Sequence, residues 1–222
     1  MKKKESKKEF ERRKKRAVAI NKKLKELFPS ADTELNQSNP WELLVAVVLS
    51  AQCTDKQVNK VTKTLFKKYK TLDDYIKADR EEFEQDIRST GFYKNKTKNI
   101  LASAKKVKAD FGGKVPKTMQ ELLTLPGVAR KSANIILSSA YGHIEGIAVD
   151  THVKRLANKF QLSDESDPNK IERDLMAILP RQDWMDFSFR MVLYGREYST
   201  ARKKDARDDP ISKLLAKKNF YS

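Results

Sequence analysis

The chain has 222 residues, of which 47 are Lys or Arg and 30 are Asp or Glu, so its formal charge is +17. One cysteine, Cys53, and two histidines exclude an intrachain disulfide, a four-cysteine iron–sulfur cluster and a three-histidine metal site. The length suits one large domain or two smaller lobes, and a hydrophobic content of 39% is enough to form a core. The high positive charge is typical of proteins that bind nucleic acid.

The basic excess is not confined to the N-terminus. Residues 1–27 hold ten Lys, three Arg and four Glu, a net charge of +9, and the remainder still carries +8. From about Glu9, apolar residues recur every three to four positions and predict a helix docked on the core, with Phe10, Ala17, Ile20, Leu24 and Leu27 on its inner face. Apolar runs are too short to cross a bilayer, and none follows the basic start as a secretory signal would.

Helical patterns continue through the rest of the chain. The order Asn39-Pro40-Trp41-Glu42 predicts a helix start, and the apolar run after it predicts a buried helix through Ala51. Hairpin signals and alternating strands are scarce, so we expect an all-α fold. Further helices are predicted over 55–69, from about 79 to a stop at Gly91, and over 94–111, 119–123, 129–140, 151–160, 168–179 and 183–194.

The segment Leu125-Pro126-Gly127-Val128 joins a short predicted helix to a longer one that carries Arg130 and Lys131. Glycine lets the backbone turn tightly and approach a ligand closely. The free N–H groups and positive dipole end of the second helix attract phosphate. The segment therefore predicts an anion-binding helix–turn–helix, although the same composition also suits a plain helical hairpin.

Asp150 follows the apolar residues Ile147, Ala148 and Val149 and precedes another predicted helix. The simplest interpretation is that Asp150 or Thr151 is an N-cap, and a capping carboxylate can also face a cleft. At a helix N-terminus the dipole and desolvation disfavour a charged lysine, so Lys131 could lose its proton and act as an amine nucleophile. A nearby carboxylate could then stabilise a cationic transition state or relay a proton.

Four segments, in this order, resemble the endonuclease III family of helix–hairpin–helix/GPD DNA glycosylases. They are Leu49-Ser50-Ala51-Gln52-Cys53-Thr54-Asp55, Gly91-Phe92-Tyr93-Lys94-Asn95-Lys96, the stretch from Leu125 to Asn134, and Ala148-Val149-Asp150-Thr151-His152-Val153. The resemblance covers about residues 15–215. It implies a two-lobed all-α fold, with a six-helix barrel lobe at 37–146 and a second lobe formed by 1–36 and 147–222.

The resemblance also implies roles for individual residues. Lys131 matches the Schiff-base nucleophile and Asp150 matches the catalytic aspartate. Gln52 matches the residue that fills the gap left by an extruded base. Phe92 stands where an intercalating wedge, usually Leu, is found. Apart from the resemblance, His152 is a candidate to position Asp150 or to face a phosphate, and the alternative is that it caps or packs.

The hairpin residues would contact the phosphate backbone. The resemblance assigns this role to the backbone from Leu125 through Gly127 to Val128, and it implies that the carbonyls there can hold a monovalent cation. Arg130, at the start of the next predicted helix, adds positive charge for the same contact. No other metal site and no cofactor is expected.

The implied activity is base-excision repair. The family removes oxidised pyrimidines from duplex DNA and cuts the resulting apurinic or apyrimidinic (AP) site by β-elimination. Two alternatives stay open, a monofunctional mismatch glycosylase and a non-catalytic DNA-binding module. Lys131 argues against the first, and the presence of both Lys131 and Asp150 argues against the second. We expect a monomer that binds double-stranded DNA with a damaged base or AP site, has no membrane partner, and works in a bacterial-type cytoplasm near the nucleoid.

The chain departs from the family at its C-terminal end. Most endonuclease III relatives carry a [4Fe–4S] cluster with the spacing Cys-x6-Cys-x2-Cys-x5-Cys, and the corresponding positions here are Ser199, Ala206, Asp209 and Leu215. We therefore expect a variant without the cluster, in which packing replaces its contribution to stability. The apolar candidates for that packing are Ile211, Leu214 and Leu215.

Overall fold

The computed structural model describes residues 5–203 and 207–220, and in this part of the chain it contains α-helices and 3₁₀ turns but no strand. The prediction of an all-α fold is confirmed. None of the described helices is both long enough and apolar enough to span a bilayer. The helices are α1 (Lys7–Leu27), α2 (Pro40–Leu49), α3 (Asp55–Lys68), α4 (Leu72–Lys77), α5 (Arg80–Asp86), α6 (Tyr93–Asp110), α7 (Met119–Leu122), α8 (Arg130–Tyr141), α9 (Thr151–Lys159), α10 (Pro168–Ile178), α11 (Trp184–Glu197) and α12 (Pro210–Lys217).

Side-chain caps account for most helix starts. Ser6, Asn39, Thr54, Thr71 and Asp79 each accept a hydrogen bond from a backbone N–H in the first turn of α1 to α5, respectively. Such a cap satisfies one of the N–H groups that a helix leaves without an internal partner. By contrast, α6, α8 and α11 begin without a side-chain cap.

The predicted elements differ from the observed ones in three places. The short helix α4 and the C-terminal helix α12 were not predicted, because one or two turns carry too few apolar repeats to show a period. The single helix expected from about 79 to Gly91 is in fact α5 followed by a 3₁₀ turn, Arg88–Thr90. Ile87, at the junction, is fully buried, and Thr90 Oγ1 donates to its carbonyl at 2.8 Å, which tightens the chain there.

Residues 33–145 form one compact unit, called here the central unit, which contains α2 to α8. Helix α2 is apolar on every side and lies at its centre, packed against α3, α6 and α8. Leu43, Leu44 and Leu49 have no exposed surface, as expected for a helix surrounded by other helices. The predicted lobe spans 37–146, and the compact unit spans 33–145.

Residues 1–32 and 146–222 form the other compact unit, called here the terminal unit, which contains α1 and α9 to α12. Its core includes Ile20 and Leu24 of α1 together with Phe160, Phe187 and Tyr194, all without exposed surface. Helix α11 packs against α9 and α1, so the two ends of the chain share one hydrophobic core.

Arginines of α1 donate hydrogen bonds to backbone carbonyls just past the ends of other helices. Arg16 donates from Nη1 to Gln161 O at 2.7 Å, just past the end of α9, and from Nη2 to Phe220 O at 2.8 Å, just past the end of α12. Arg13 donates to Leu162 O at 3.1 Å. Basic groups suit these places because the last carbonyls of a helix lack internal partners and form its negative dipole end.

Candidate active site

The turn between α7 and α8, residues 125–128, is held in one conformation by α6. Gly127 has φ of +82°, and a Cβ at this position would lie 2.9 Å from Cβ of Asn99. Both the dihedral angle and the contact therefore require glycine. Ser103 Oγ donates to Pro126 O at 2.9 Å, which fixes the neighbouring peptide.

The predicted contact residues of this turn present their backbone rather than their side chains. Leu125 is 2% exposed and Val128 is 7% exposed, so both side chains belong to the core of the central unit. Helix α8 follows at once, with Ala129 at its N-cap and no side-chain cap. Its first-turn N–H groups and its positive dipole end are therefore suited to an anion.

Two cations lie on the first turn of α8. Lys131 is exposed, and Arg130 beside it is half-buried. The helix start thus combines the dipole, N–H groups and positive side chains. Such a start is suited to an anion, and the exposed amine of Lys131 lies beside it.

Asp150 lies in the terminal unit and is the N-cap of α9. Its Oδ1 accepts a hydrogen bond from Val153 N–H at 2.8 Å, and the residue is half-buried. The backbone just before Asp150 is also held in place, since Ser188 Oγ donates to Ala148 O at 2.5 Å. The capping interpretation is therefore correct, and the cap holds the carboxylate in a defined orientation.

His152 lies on the first turn of α9 and packs against Gly195 of α11. A Cβ on Gly195 would lie only 2.6 Å from His152 Nδ1, so the imidazole needs glycine there. Burial lowers the pKa of His152, Arg155 and Arg196 lower it further, and Asp150 opposes the shift. The imidazole is therefore biased toward its neutral form.

Gln52 and Phe92 stand out by their backbone. Their φ angles are +53° and +49°, in the left-handed region that residues other than glycine rarely adopt. The described chain has two other such residues, Gln161 and Asn219, and each directly follows the C-cap of a helix, where this conformation is usual.

The positive φ angles of Gln52 and Phe92 are not explained by a position directly after a helix C-cap. Gln52 lies two residues beyond the C-cap of α2, and Phe92 lies at the N-cap of α6. The Phe92 side chain is 62% exposed, which is unusual for a large apolar ring, and Gln52 is exposed as well. Strained backbone that presents an exposed side chain is typical of functional loops.

The sequence analysis did not predict a role for Lys96, whose buried side chain hydrogen-bonds to residues at the start of both loops. Only 4% of this residue is exposed, and its Nζ donates to Leu49 O and to Thr90 O, each at 2.8 Å. Burial lowers its pKa, with Cys53 opposing the shift. A signal was present in the sequence, since Lys96 lies on the same helical stripe as the buried Ile100 and Val107.

A second group that was missed lies in the terminal unit and is centred on Asp209. This Asp209 cluster comprises Asp209, Tyr194, Lys159, Ser199 and Ser212. Lys159 Nζ lies 2.9 Å from Asp209 Oδ2 and donates at 2.9 Å to Ser199 Oγ. Ser212 Oγ donates to Asp209 Oδ2 at 2.7 Å, and Tyr194 OH donates to Oδ1. Burial alone would raise the pKa of Asp209, but the hydrogen bonds from Tyr194, Lys159 and Ser212 outweigh it and lower the pKa.

These positions do not fit an iron–sulfur cluster. Of the four expected ligand positions, Leu215 is fully buried in the apolar core, Ser199 accepts from Lys159, and both oxygens of Asp209 are hydrogen-bonded. Ala206 lies outside the described residues. A chain with one cysteine cannot supply four thiolates. Within residues 5–203 and 207–220, no group of three or more His, Cys, Asp or Glu side chains is arranged to hold a metal ion.

Comparison with known proteins finds similarity over most of the chain. The family model described as "HhH-GPD superfamily base excision DNA repair protein" matches residues 45–181. Endonuclease III of Synechocystis sp. is 49% identical over 191 residues, which are 86% of this chain and 87% of the relative. Endonuclease III of Bacillus subtilis is 45% identical over 193 residues, 86% of this chain and 88% of the relative.

Two solved structures are similar over the whole fold. A non-covalent endonuclease III–DNA complex matches with a TM-score of 0.86 and 42% identity, covering 94% of this chain and 99% of that one. A trapped covalent endonuclease III–DNA intermediate matches with a TM-score of 0.85 and 43% identity, covering 89% of this chain and 93% of that one.

Proposed function

Because the chain belongs to the endonuclease III family of HhH-GPD base-excision DNA repair proteins, we propose that it is a bifunctional DNA glycosylase and AP lyase that removes oxidised pyrimidines from duplex DNA. The observation that carries the proposal is the position of Lys131. It is an exposed amine on the first turn of α8, which has no side-chain cap and directly follows the turn of residues 125–128.

Lys131 is the proposed nucleophile. Its unprotonated Nζ forms a bond to C1′ of the damaged nucleotide while the bond from C1′ to the base breaks, and the base leaves with that electron pair and takes up a proton. The bond from C1′ to O4′ then breaks and O4′ takes up one of the two protons on the attached nitrogen, which leaves a ring-opened protonated imine. Loss of a C2′ proton then expels the 3′ phosphate, which cuts the strand, and water hydrolyses the imine to release Lys131.

Asp150 supplies the negative charge that this sequence of steps needs. A carboxylate stabilises the cationic sugar as the base leaves and can relay protons during ring opening. The hydrogen bond from Val153 N–H holds one carboxylate oxygen, so the group keeps its orientation as charge develops. His152, biased toward the neutral form, adds little positive charge in competition for this carboxylate.

The backbone of residues 125–128 and the start of α8 are the proposed phosphate site. The close approach of Gly127 to Asn99, the absence of a side-chain cap on α8, and the neighbouring Arg130 support it. Contacts of this kind fix a DNA strand without reading its sequence. We also expect the carbonyls of this turn to be able to hold a monovalent cation.

Gln52 and Phe92 are the proposed insertion residues. A glycosylase cannot reach C1′ inside the base stack, so it must extrude the nucleotide, at a cost of a few kcal/mol that inserted side chains offset. The exposed ring of Phe92 is suited to enter the stack, and Gln52 to fill the gap opposite the estranged base.

The partner in this proposal is double-stranded DNA with a damaged base or AP site. We expect the enzyme to act as a monomer in a bacterial cytoplasm, at the nucleoid, since the relatives named above come from bacteria. The formal charge of +17 supports binding that weakens steeply as salt rises.

Borohydride trapping tests the chemistry, because borohydride reduces the imine to a stable protein–DNA adduct. Wild type should form an adduct on duplexes that carry an AP site or thymine glycol. Lys131→Ala should form none, while Lys105→Ala, which removes an exposed lysine of α6, should match wild type. Asp150→Asn should retain DNA binding and lose most of the trapping rate.

The outcomes separate the alternatives. Base release with an uncut AP site would indicate a monofunctional glycosylase, and binding without base release or adduct would indicate a non-catalytic module. An adduct that persists in Lys131→Ala would show that another amine is the nucleophile. Trapping on AP sites but not on thymine glycol would contradict the oxidised-pyrimidine specificity.

A further inference from the structure

Two loops of the central unit carry the proposed insertion residues, and one buried ammonium contacts both. Leu49 ends α2 three residues before Gln52, and Thr90 ends the 3₁₀ turn two residues before Phe92. Lys96 Nζ donates to the carbonyl oxygens of both residues at 2.8 Å. The two loops therefore share a single hydrogen-bonding centre.

The bonds to Lys96 replace bonds that the backbone does not make. In a continued helix, Cys53 N–H would donate to Leu49 O, but here it donates to Ser50 O at 3.1 Å as the chain turns. A buried carbonyl without a donor destabilises the fold, because it has lost its hydrogen bond to water and gained none. Lys96 supplies that donor, and an amine keeps at least two N–H groups in either protonation state, so both bonds persist when the proton is lost.

We propose that Lys96 is a positioning residue that holds the Gln52 and Phe92 loops in register, so that both side chains enter the DNA together. This inference rests on the proposed function. The carbonyls lie at the bases of the loops, and the strained residues follow within three positions, where the chain has little freedom to compensate for a shift. A second bond joins the same regions at the surface, from Gln57 Nε2 to Ser89 Oγ at 2.8 Å.

Duplex and single-stranded substrates separate positioning from chemistry. A nucleotide in a duplex must be extruded before Lys131 can reach it, whereas an AP site in a short single strand needs no insertion residue. Lys96→Met should lower the single-turnover rate of borohydride trapping on duplex AP-site DNA at least tenfold. It should leave the rate on the single strand within about twofold of wild type.

The matched control is Lys105→Met, which removes the same charge from an exposed position on the same helix. It should match wild type on both substrates. Lys96→Gln is the second variant, because its amide keeps a donor for one carbonyl and is better tolerated than Met in a polar pocket. It should show the same duplex-selective loss, since the amide nitrogen of Gln lies one bond closer to the backbone than Nζ of Lys and cannot reach both carbonyls.

Duplex and single-strand rates that fall together in both Lys96 variants would overturn the inference, because a merely structural role lowers both alike. Wild-type rates on the duplex in either variant would overturn it as well. Failure of wild type to trap on any substrate would instead contradict the proposed function. A double-mutant cycle adds an independent measurement: Gln52→Ala and Phe92→Ala should be non-additive in wild type and become additive in the presence of Lys96→Gln.

Discussion

Replacing Lys159 by Met would leave the Asp209 carboxylate buried in the terminal unit without its cationic partner. The Lys159 side chain is 10% exposed and that of Asp209 is 2% exposed, so water cannot take the place of the ammonium. Breaking a buried ion pair by removing one member costs about 3–5 kcal/mol, whereas an exposed pair contributes about 0–1 kcal/mol. Tyr194 and Ser212 continue to donate to the carboxylate, so we expect the lower end of the buried range, about 3 kcal/mol.

Tryptophan fluorescence can report this loss for the terminal unit alone. The chain has two tryptophans, Trp184 in the terminal unit and Trp41 in the central unit. In a Trp41→Phe background, emission from Trp184 follows the unfolding of its own unit. A loss of 3 kcal/mol corresponds to a fall in the thermal midpoint of about 12 °C or more for a unit of this size.

Two variants serve as controls. Lys213→Met removes an exposed lysine of α12 and should change the midpoint by less than about 2 °C. Adding Asp209→Asn to Lys159→Met removes the stranded charge and keeps a good N-cap for α12, so it should recover more than half of the loss.

Asp209 makes the stability of the folded chain depend on pH, and stability falls as the pH is lowered. The hydrogen bonds that lower the pKa of Asp209 stabilise the folded chain above the ordinary value of 3.8, and this contribution is lost as pH falls through the folded pKa. Without Lys159 the folded pKa rises, so acid unfolding should begin at a higher pH. A midpoint at neutral pH within about 4 °C of wild type would refute this reasoning, because the pair would then behave like a surface ion pair.

Three further outcomes are expected. Gly127→Ala should destabilise the central unit by about 1–3 kcal/mol more than Gly112→Ala, since both glycines have positive φ but only Gly127 would place its Cβ against Asn99; equal urea midpoints for the two variants would contradict this. Phe92→Ser should leave stability within about 0.5 kcal/mol, because the ring is exposed, yet lower the rate of duplex trapping, and an unchanged rate would remove Phe92 from the insertion role. Because burial lowers the pKa of His152, the folded chain resists protonation there, so stability of the terminal unit should fall as pH drops below 6.5. His152→Gln should lessen that fall, measured by thermal midpoints from pH 7.5 to 5, and an identical pH dependence in the variant would show that other groups cause it.

Helix starts could be read from the sequence because they depend on neighbouring residues. Asn39 followed by Pro40 predicts the start of α2, and the structure places both where the prediction had them. The motif around Lys131 is also local, since the turn, its glycine and the helix after it are continuous in the chain. A cap at Asp150 or Thr151 was predicted for the same reason, and the structure shows Asp150 in that role, with its Oδ1 accepting from the backbone N–H of Val153.

The buried lysines Lys96 and Lys159 make contacts between distant parts of the chain. Lys96 bonds a carbonyl 47 residues away, and Lys159 pairs with Asp209 across 50 residues. In the sequence each is one basic residue among 47. The helical stripe of Lys96 indicates burial, but no local pattern shows which distant carbonyl or carboxylate either lysine contacts. The sequence predicted that apolar packing replaces the iron–sulfur cluster, and Ile211 and Leu215 are indeed fully buried. It did not predict the polar Asp209 cluster.

By itself, therefore, the sequence determined the helical class and most helix starts, and it supplied the residues that we propose for the family's chemistry, because propensity, capping and short motifs act over a few residues. Only the tertiary structure decided which charged side chains are buried, that Lys96 hydrogen-bonds to the loops that carry Gln52 and Phe92, and that Ser199 and Asp209, at two of the family's cluster-ligand positions, belong to the Asp209 cluster. Burial of a charge requires partners from several elements at once, and that arrangement exists only after the chain has folded.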